Sequence, residues 1–294
     1  MAIIDVSGLT KAFGETIAND DLTFSVEPGE IFGYLGPNGA GKTTTLRTLL
    51  GFLSPTEGTA TVLGADIRDE DALLEAKRDI GYLPGELHFT ESVTGHSFLE
   101  YQASLKGDDR LDEMTDLFQP PLDRKIREYS SGNRQMLGII QTFMHDPDLV
   151  VMDEPTRGLD PLMQERLNSF LRAERAAGTT VLFSSHVLGE VRRVCDRVGI
   201  IRDGRLVALE NIESLLRKGG KRVRINTDEP VDVEAFDLDG IIEVEQVGKV
   251  TRFTFTGDYN RLLETLSAYS IVDMEIEEPP LEEVFLHYYG DEDD

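Results

Sequence analysis

A glycine-rich segment near the N-terminus has the residue types and the spacing of a phosphate-binding loop. It fits the pattern G-x-x-x-x-G-K-[ST], in which glycines let backbone N–H groups turn inward around an anion. Lys42 would supply a positive charge to the β- and γ-phosphates of a nucleotide, and Thr43 would offer a hydroxyl to Mg²⁺. The residues predicted to bind the nucleotide are Gly36, Pro37, Asn38, Gly39, Ala40, Gly41, Lys42, Thr43 and Thr44.

Two adjacent acids, Asp153 and Glu154, follow the fully apolar run of residues 149–152. Such a run is typical of a central parallel strand, and open α/β folds bind ligands at the carboxyl edge of the sheet. At that edge Asp153 could hold Mg²⁺, and Glu154 could polarise the water that attacks a γ-phosphate. Acids often end strands, so the interpretation depends on the phosphate loop upstream.

The elements that position these residues alternate between apolar runs and amphipathic helical periods over the first 220 residues, which predicts an α/β domain. A strand over 30–35 leads into the phosphate loop, and leucines at i, i+3, i+4 and i+7 after it predict a helix that reaches residue 53. The segment from about 86 to 145 is predicted to be a helical insert.

The pattern changes after residue 220, where a small, acidic α+β domain is predicted over 221–294. The predicted strands are 221–226, 241–247, 250–256 and 271–276, with residues 248–249 as a hairpin turn between the middle two. One helix is predicted near Tyr259 and a final short helix over 281–289, followed by an acidic tail.

Composition restricts the classes of function. The 294 residues include 55 acids and 29 Lys plus Arg, and the net charge of −26 repels phosphate backbones, so we expect no nucleic-acid partner. A single cysteine, Cys195, excludes an internal disulfide, and no apolar run is long enough to span a bilayer. Only 8 of the 29 basic residues are Lys. The acid excess resembles that of proteins from salt-accumulating halophiles, and an ordinary acidic protein is the alternative.

Three further segments carry a resemblance to the ATP-binding-cassette (ABC) ATPases. Residues 129–135 (YSSGNRQ) resemble the family's signature sequence LSGGQ followed by Arg-Gln. Residues 153–161 (DEPTRGLDP) resemble its Walker B and D-loop run, and residues 184–186 (SSH) resemble its switch histidine. The motifs occur in the family's order and spacing over about residues 3–215. The most similar group is the ATPase subunits of two-component exporters of the ABC-2 type.

The resemblance implies nucleotide-binding roles outside the phosphate loop. Ser130, Ser131 and Gly132 would bind the γ-phosphate held by a second chain, with Ser131 standing where the family has Gly. Phe13 stands where the family places an aromatic residue that stacks on adenine. His186 would donate a hydrogen bond to the γ-phosphate, which makes it the second predicted catalytic residue beside the glutamate of the Walker B run.

The chain departs from the family at the Q-loop. Gly85 stands where the family usually has a Gln that contacts Mg²⁺ and the attacking water. Glu86, the next residue, could serve as a metal ligand if the loop shifts by one residue. Arg157 stands where the D-loop often has Ser, and it could pair across a dimer or be solvated.

The fold implied is a P-loop NTPase ABC cassette over residues 1–220, with a RecA-like core, an antiparallel β part and a helical subdomain, plus the small C-terminal domain. The implied activity is ATP hydrolysis with Mg²⁺, coupled to transport. The implied partners are a second ATPase subunit in a homodimer and separate transmembrane permease subunits that dock near residues 87–98. The chain would then lie at the cytoplasmic face of the membrane. A soluble ABC ATPase and a nucleotide-dependent regulator of a membrane partner are the alternatives.

Overall fold

A computed structural model describes residues 2–214, 220–231 and 238–277. The chain divides into two compact units, residues 1–209 and residues 210–294. Within the part of the chain that the structure describes, no helix combines the length and the apolar character needed to cross a bilayer.

The strands are Ile4–Phe13 (β1), Thr16–Val26 (β2), Ile31–Leu35 (β3), Glu57–Val62 (β4), Ala65–Asp66 (β5), Ile80–Leu83 (β6), Leu149–Asp153 (β7), Thr180–Ser185 (β8), Arg197–Arg202 (β9), Arg205–Asn211 (β10), Lys221–Thr227 (β11), Ile241–Val247 (β12), Val250–Phe255 (β13) and Ile271–Glu277 (β14). The helices are Lys42–Leu49 (α1), Glu70–Ala76 (α2), Gly95–Lys106 (α3), Leu111–Phe118 (α4), Ser131–Phe143 (α5), Pro161–Ala177 (α6), Leu188–Val194 (α7) and Tyr259–Leu266 (α8). Short 3₁₀ turns occupy Lys77–Asp79 and Ile126–Glu128.

Two sheets form the body of the first unit. The larger has the order β10-β9-β3-β8-β7-β6, and its central pairs β3–β8, β7–β8 and β6–β7 are parallel. The smaller has the order β2-β1-β4-β5 and is antiparallel. One apolar core joins them, and in it the Phe24 ring stacks on Phe32 at 5.7 Å and on Tyr34 at 5.5 Å between ring centroids. The predicted α/β class with an antiparallel β part is confirmed.

Helix α1 begins at Lys42 as expected but ends at Leu49 and does not continue to residue 53. Gly51 adopts a φ of 67°, and a residue in the left-handed region is a common way to end a helix. The three helices α3, α4 and α5 lie between β6 and β7, as a helical insert requires. Residues 86–94, predicted to be helical, contain no helix, because α3 begins only after Thr94 caps it by accepting a hydrogen bond from the Ser97 N–H.

The described part of the second unit is an antiparallel sheet in the order β12-β13-β11-β14 with the helix α8. The apolar face of α8, with Leu262 and Leu266, shares a core with Val223, Ile225 and Phe253 on the sheet. The hairpin at residues 248–249 joins β12 to β13 as predicted. The final helix predicted over 281–289 and the acidic tail lie outside the described residues.

Candidate functional site

The glycine-rich loop lies between the carboxyl end of β3 and the first turn of α1, so the positive end of the helix faces it. Gly41 has a φ of 103°, and a Cβ there would overlap the backbone carbonyl oxygen of Ala18. Lys42 is buried, and its Nζ donates to the carbonyl oxygens of Gly36 at 2.6 Å and Pro37 at 3.2 Å. The loop therefore holds its lysine against its own backbone at the N-terminus of α1, where an anion would be stabilised.

Asn19, a buried polar residue that we did not predict, forms hydrogen bonds to this loop and to the helix that follows it. Asn19 is 0% exposed, and its Nδ2 donates to the Gly41 carbonyl oxygen at 3.2 Å and to Thr45 Oγ1 at 3.0 Å. The Tyr34 hydroxyl lies 3.2 Å from the same Thr45 oxygen, and burial raises the pKa of Tyr34 above its ordinary value. These contacts fix the start of α1 to strand β2 and so fix the loop's position.

Asp153 ends the central strand β7 and is 2% exposed. Its Oδ2 accepts a hydrogen bond from Thr43 Oγ1 at 2.6 Å, and its Oδ1 accepts one from Ser184 Oγ at 2.6 Å. A hydroxyl and a carboxylate brought together at the phosphate loop are oxygen donors of the kind Mg²⁺ prefers, with phosphate oxygens completing the coordination. Two of the three predicted metal-binding residues, Thr43 and Asp153, thus lie within contact of one another, and this donor set fits the ion.

Glu154 and His186 follow the neighbouring parallel strands β7 and β8. His186 Nδ1 lies 2.7 Å from Glu154 Oε2, and Glu154 Oε1 lies 3.6 Å from Lys42 Nζ. Glu154 has a φ of 52°, a strained conformation for a residue with a side chain. Its N–H donates to the Ser184 carbonyl oxygen at 3.1 Å, which helps to hold the turn. The structure therefore brings the two predicted catalytic residues together beside the lysine.

An open groove of about 510 Å³ runs along the phosphate loop and these acids. Gly85 and Glu86 line it, so the Q-loop segment reaches the site, although the Glu86 carboxylate is mostly exposed and lies 4.0 Å from His88 Nε2. Arg47, which we did not predict, and Arg157 add positive charge to the wall. Arg157 also donates to the Gly85 carbonyl oxygen at 3.4 Å.

The signature residues lie elsewhere on the unit. Ser130 caps α5 by accepting a hydrogen bond from the Asn133 N–H at 3.2 Å, and a Cβ on Gly132 would lie 3.1 Å from the Gly158 carbonyl oxygen. Among the described residues that line the groove, none belongs to the signature run 129–135. Within one copy of the chain, the phosphate loop and the signature run therefore lie at separate positions.

Phe13 also lies outside the lining of the groove in the described part of the chain. It ends strand β1, its side chain is half exposed, and Lys11 Nζ lies 4.9 Å from the centroid of its ring. Its predicted contact with adenine remains a prediction.

The D-loop after Glu154 is held by two side chains that we did not predict to be functional. Gln135 of helix α5 is buried, and its Nε2 donates to the Pro155 carbonyl oxygen at 2.8 Å. Glu190 of helix α7 accepts a hydrogen bond from Thr156 Oγ1 at 2.6 Å. Both pairs join residues that are far apart in sequence, so residue spacing alone carries no signal for them.

Comparison with known proteins places this geometry in a family. The family model for ABC transporters matches residues 19–157. An uncharacterised ABC transporter ATP-binding protein of Synechocystis is 32% identical over 90% of this chain and 76% of its own length. The bacitracin transport ATP-binding protein of Enterococcus faecalis is 35% identical over 74% of this chain and 72% of its own length. The Nod factor export ATP-binding protein I of Rhizobium johnstonii is 33% identical over 98% of this chain and 95% of its own length.

The solved structures agree on the fold. An ATP-binding subunit of an ABC transporter superposes with a TM-score of 0.67 at 28% identity, covering 74% of this chain and 92% of that one. A dimeric ATP-binding cassette bound to ADP and Pi superposes with a TM-score of 0.66 at 22% identity, covering 71% of this chain and 98% of that one. On the sequence relatives and this shared fold, the chain belongs to the family of ABC transporter ATP-binding proteins.

Proposed function

We propose that the chain binds Mg-ATP in the groove at the phosphate loop and hydrolyses it to ADP and phosphate to drive a membrane transporter. One observation carries the proposal. Lys42, Thr43, Asp153, Glu154 and His186 converge at the carboxyl edge of one sheet, with the contacts of 2.6, 2.7 and 3.6 Å given above.

Each side chain has a distinct part in the proposed reaction. The buried ammonium of Lys42 offsets charge on the transferred phosphoryl group, and the N–H groups of the loop act in the same sense. Glu154 polarises the attacking water, and His186, oriented by Glu154, donates a hydrogen bond to the γ-phosphate. Mg²⁺, held by Thr43 and Asp153, would neutralise phosphate charge. Glu86 is a further metal ligand only if its carboxylate turns into the groove.

The separation of the signature run from the groove supports a two-chain site. The N-terminus of α5 with Ser130, Ser131 and Gly132 is an anion-binding element, and it would reach the γ-phosphate in the groove of a second copy. Two copies would close over two nucleotides, and hydrolysis would remove the contribution of those nucleotides to closure. A solved cassette with the same fold is described as a dimer in a post-hydrolysis state bound to ADP and Pi, which is consistent with the proposal.

The partner that carries the substrate would be a separate transmembrane permease at the cytoplasmic face of the membrane. The segment 87–98 contains a half-buried pair of rings, Phe89 and Phe98, with centroids 5.0 Å apart. Phe52, after α1, is exposed, and its ring lies 5.7 Å from the ring of Tyr82, in the strand that leads to the Q-loop. Aromatic side chains that are exposed, as Phe52 is, or half-buried, as Phe89 and Phe98 are, suit a protein interface. Export as the direction of transport rests on the similarity to the Nod factor protein.

Turnover by the full chain tests the proposed function. The wild type should release phosphate from ATP only with Mg²⁺, and Glu154→Gln should lower kcat by about a hundredfold or more while ATP binding persists, because it removes the group that polarises water. Phosphate release and binding of a fluorescent ATP analogue are measured on the same samples. An unchanged kcat in the variant would contradict the base assignment. If the wild type bound nucleotide tightly but did not hydrolyse it, the result would instead favour a nucleotide-dependent regulator of a membrane partner.

A further inference from the structure

The two loops that carry the proposed catalytic pair are tied together by one carboxylate outside the pair. Glu190 lies in the first turn of helix α7, four residues beyond His186. Its Oε1 accepts a hydrogen bond from Thr156 Oγ1 at 2.6 Å, and its Oε2 accepts one from Ser185 Oγ at 2.7 Å. Thr156 is two residues beyond Glu154, and Ser185 directly precedes His186.

Both hydrogen bonds belong to a strong class. A hydroxyl that donates to a carboxylate oxygen at this distance forms a charge-assisted bond, roughly twice as strong as a neutral one. Ser185 is fully buried and Thr156 is 6% exposed, so water has little access to either hydroxyl. Ser185 Oγ also accepts a hydrogen bond from the Val187 N–H at 3.0 Å, which connects the same group to the start of α7.

The arrangement addresses a specific need of this site. Glu154 adopts a left-handed φ, and such a conformation persists only where the surroundings hold it. On one side the loop after Glu154 is held by Gln135 of α5, which contacts Pro155 but not the loop of His186. Glu190 bonds both to Thr156, after Glu154, and to Ser185, before His186, so it links the two segments at positions next to the catalytic pair.

We propose that Glu190 is a positioning residue that fixes the segment after Glu154 to the segment before His186, so that Glu154 reaches the attacking water while His186 reaches the γ-phosphate. The inference rests on the proposed function. It assigns Glu190 no contact with the nucleotide, since its carboxylate is occupied by Thr156 and Ser185. Loss of the bridge should therefore lower kcat and leave ATP binding nearly unchanged.

A series of substitutions at Glu190 distinguishes the effect of the length of the side chain from the effect of its charge. Glu190→Ala removes the bridge and should lower kcat for ATP by about tenfold or more, with KM changed by less than about twofold. Glu190→Asp keeps the charge but is one methylene short, and it should resemble Glu190→Ala. Glu190→Gln keeps the reach and one acceptor oxygen, and it should recover part of the lost kcat. Arg193→Ala, an exposed change on the same helix, is the matched control and should behave as the wild type.

A double-mutant cycle with Thr156→Val tests the bond itself. If Glu190 acts through Thr156, the double variant should be no slower than Glu190→Ala. Rates are measured at one protein concentration and divided by the amount of bound ATP analogue, so that an unfolded fraction is not counted. Should Glu190→Ala not fold, Glu190→Gln and Thr156→Val carry the same test.

Three results would overturn the positioning role. The first is a wild-type kcat in Glu190→Ala, and the second is additive losses of kcat in the cycle of Glu190→Ala with Thr156→Val. The third is a lowered total rate in Glu190→Ala that becomes normal once it is divided by the amount of nucleotide-binding protein. A wild type that neither binds nor hydrolyses Mg-ATP would contradict the proposed function itself, and this outcome is visible before any variant is made.

Discussion

At the scale of single residues, the site depends on polar side chains held in water-poor surroundings. Asp153 is bonded through both carboxylate oxygens, and Lys42 is bonded to two backbone carbonyls of its own loop. These bonds place the groups next to one another at the carboxyl edge of the sheet, and charges held in place stabilise a developing charge better than mobile ones do. This ordered arrangement would let a short motif act as the proposed phosphate site.

His145 gives a prediction about pH and stability. Its Nε2 lies 3.3 Å from the Ile80 carbonyl oxygen, and its pKa lies below the usual 6.5 because of burial and then the charge of Lys106, with Asp79 and Asp146 opposing. The unfolded chain then binds a proton more readily, so folding stability is lost as the pH falls through about 6.5.

We expect the free energy of unfolding from urea titrations to decrease between about pH 7.5 and pH 5.5, and to decrease less in His145→Gln than in the wild type. The exposed His96→Gln is the control and should keep the wild-type dependence. Equal pH dependence in His145→Gln and the wild type would show that His145 does not contribute.

The sequence predicts site residues only where their spacing is short and regular. Lys42 and Thr43 follow from a contiguous motif, and Asp153 and Glu154 from the apolar strand before them. Asn19, Gln135 and Glu190 were missed, because their partners lie 22, 20 and 34 residues away and the fold alone brings them together. A polar residue facing a core has no local pattern that reveals its partner.

At the scale of elements, the phosphate loop needs glycine for two separable reasons. Gly39 has a φ of 87° with nothing near its missing side chain, whereas Gly41 has both a left-handed φ and a backbone carbonyl in the way. Of the two, only Gly41 is a position where an added side chain would both be strained by the positive φ and overlap a backbone atom.

Gly41→Ala should therefore weaken Mg-ATP binding by at least about tenfold, because the loop must move away from Ala18. Gly39→Ala should cost about 1–2 kcal/mol of conformational strain and displace the loop less. Titration with a fluorescent ATP analogue compares the two variants. Equal affinities would show that the contact with strand β2 does not set the loop's shape.

A second feature at this scale joins the helical insert to the core. Arg110, just before α4, donates to both carboxylate oxygens of Glu174 on α6 at 2.6 Å. Glu113 and Asp146 also contact Arg110. These hydrogen bonds raise the pKa of Arg110, and Arg110 lowers the pKa of Glu113. The cluster fastens the predicted insert against α6.

Glu174→Ala should lower the free energy of unfolding by about 3 kcal/mol, because it leaves a largely buried guanidinium without its main partner. Glu75→Ala removes an exposed partner of Arg78 and should cost less than about 0.5 kcal/mol. Urea unfolding with a probe in each unit measures both variants. A loss below about 1 kcal/mol in Glu174→Ala would mean that the remaining acids replace it.

Element boundaries were predicted less well than element types. The strand before the phosphate loop and the start of α1 agree with expectation, since apolar runs and helical periods are local signals. The end of α1 and the start of α3 do not agree, because a left-handed glycine and a threonine cap decide them. Such caps are hydrogen-bonding choices that hydrophobic periodicity does not record.

At the scale of the whole molecule, charge and composition divide the chain unevenly. Residues 221–294 carry 20 acids and 6 Lys plus Arg, so the last quarter holds more than half of the net charge of −26. Repulsion between two such chains opposes association and is screened by salt. Any dimer must therefore draw its stability from specific contacts, and in the proposed site shared nucleotides would provide them.

The proposed site requires two copies of the chain that enclose the same nucleotide, with the groove of one copy meeting the N-terminus of α5 of the other. The most direct measurement is the molar mass of purified Glu154→Gln, determined by light scattering during size-exclusion chromatography with saturating Mg-ATP and, as the control, Mg-ADP. We expect the mass of two chains with Mg-ATP and of one chain with Mg-ADP. A single-chain mass with Mg-ATP fully bound would contradict it.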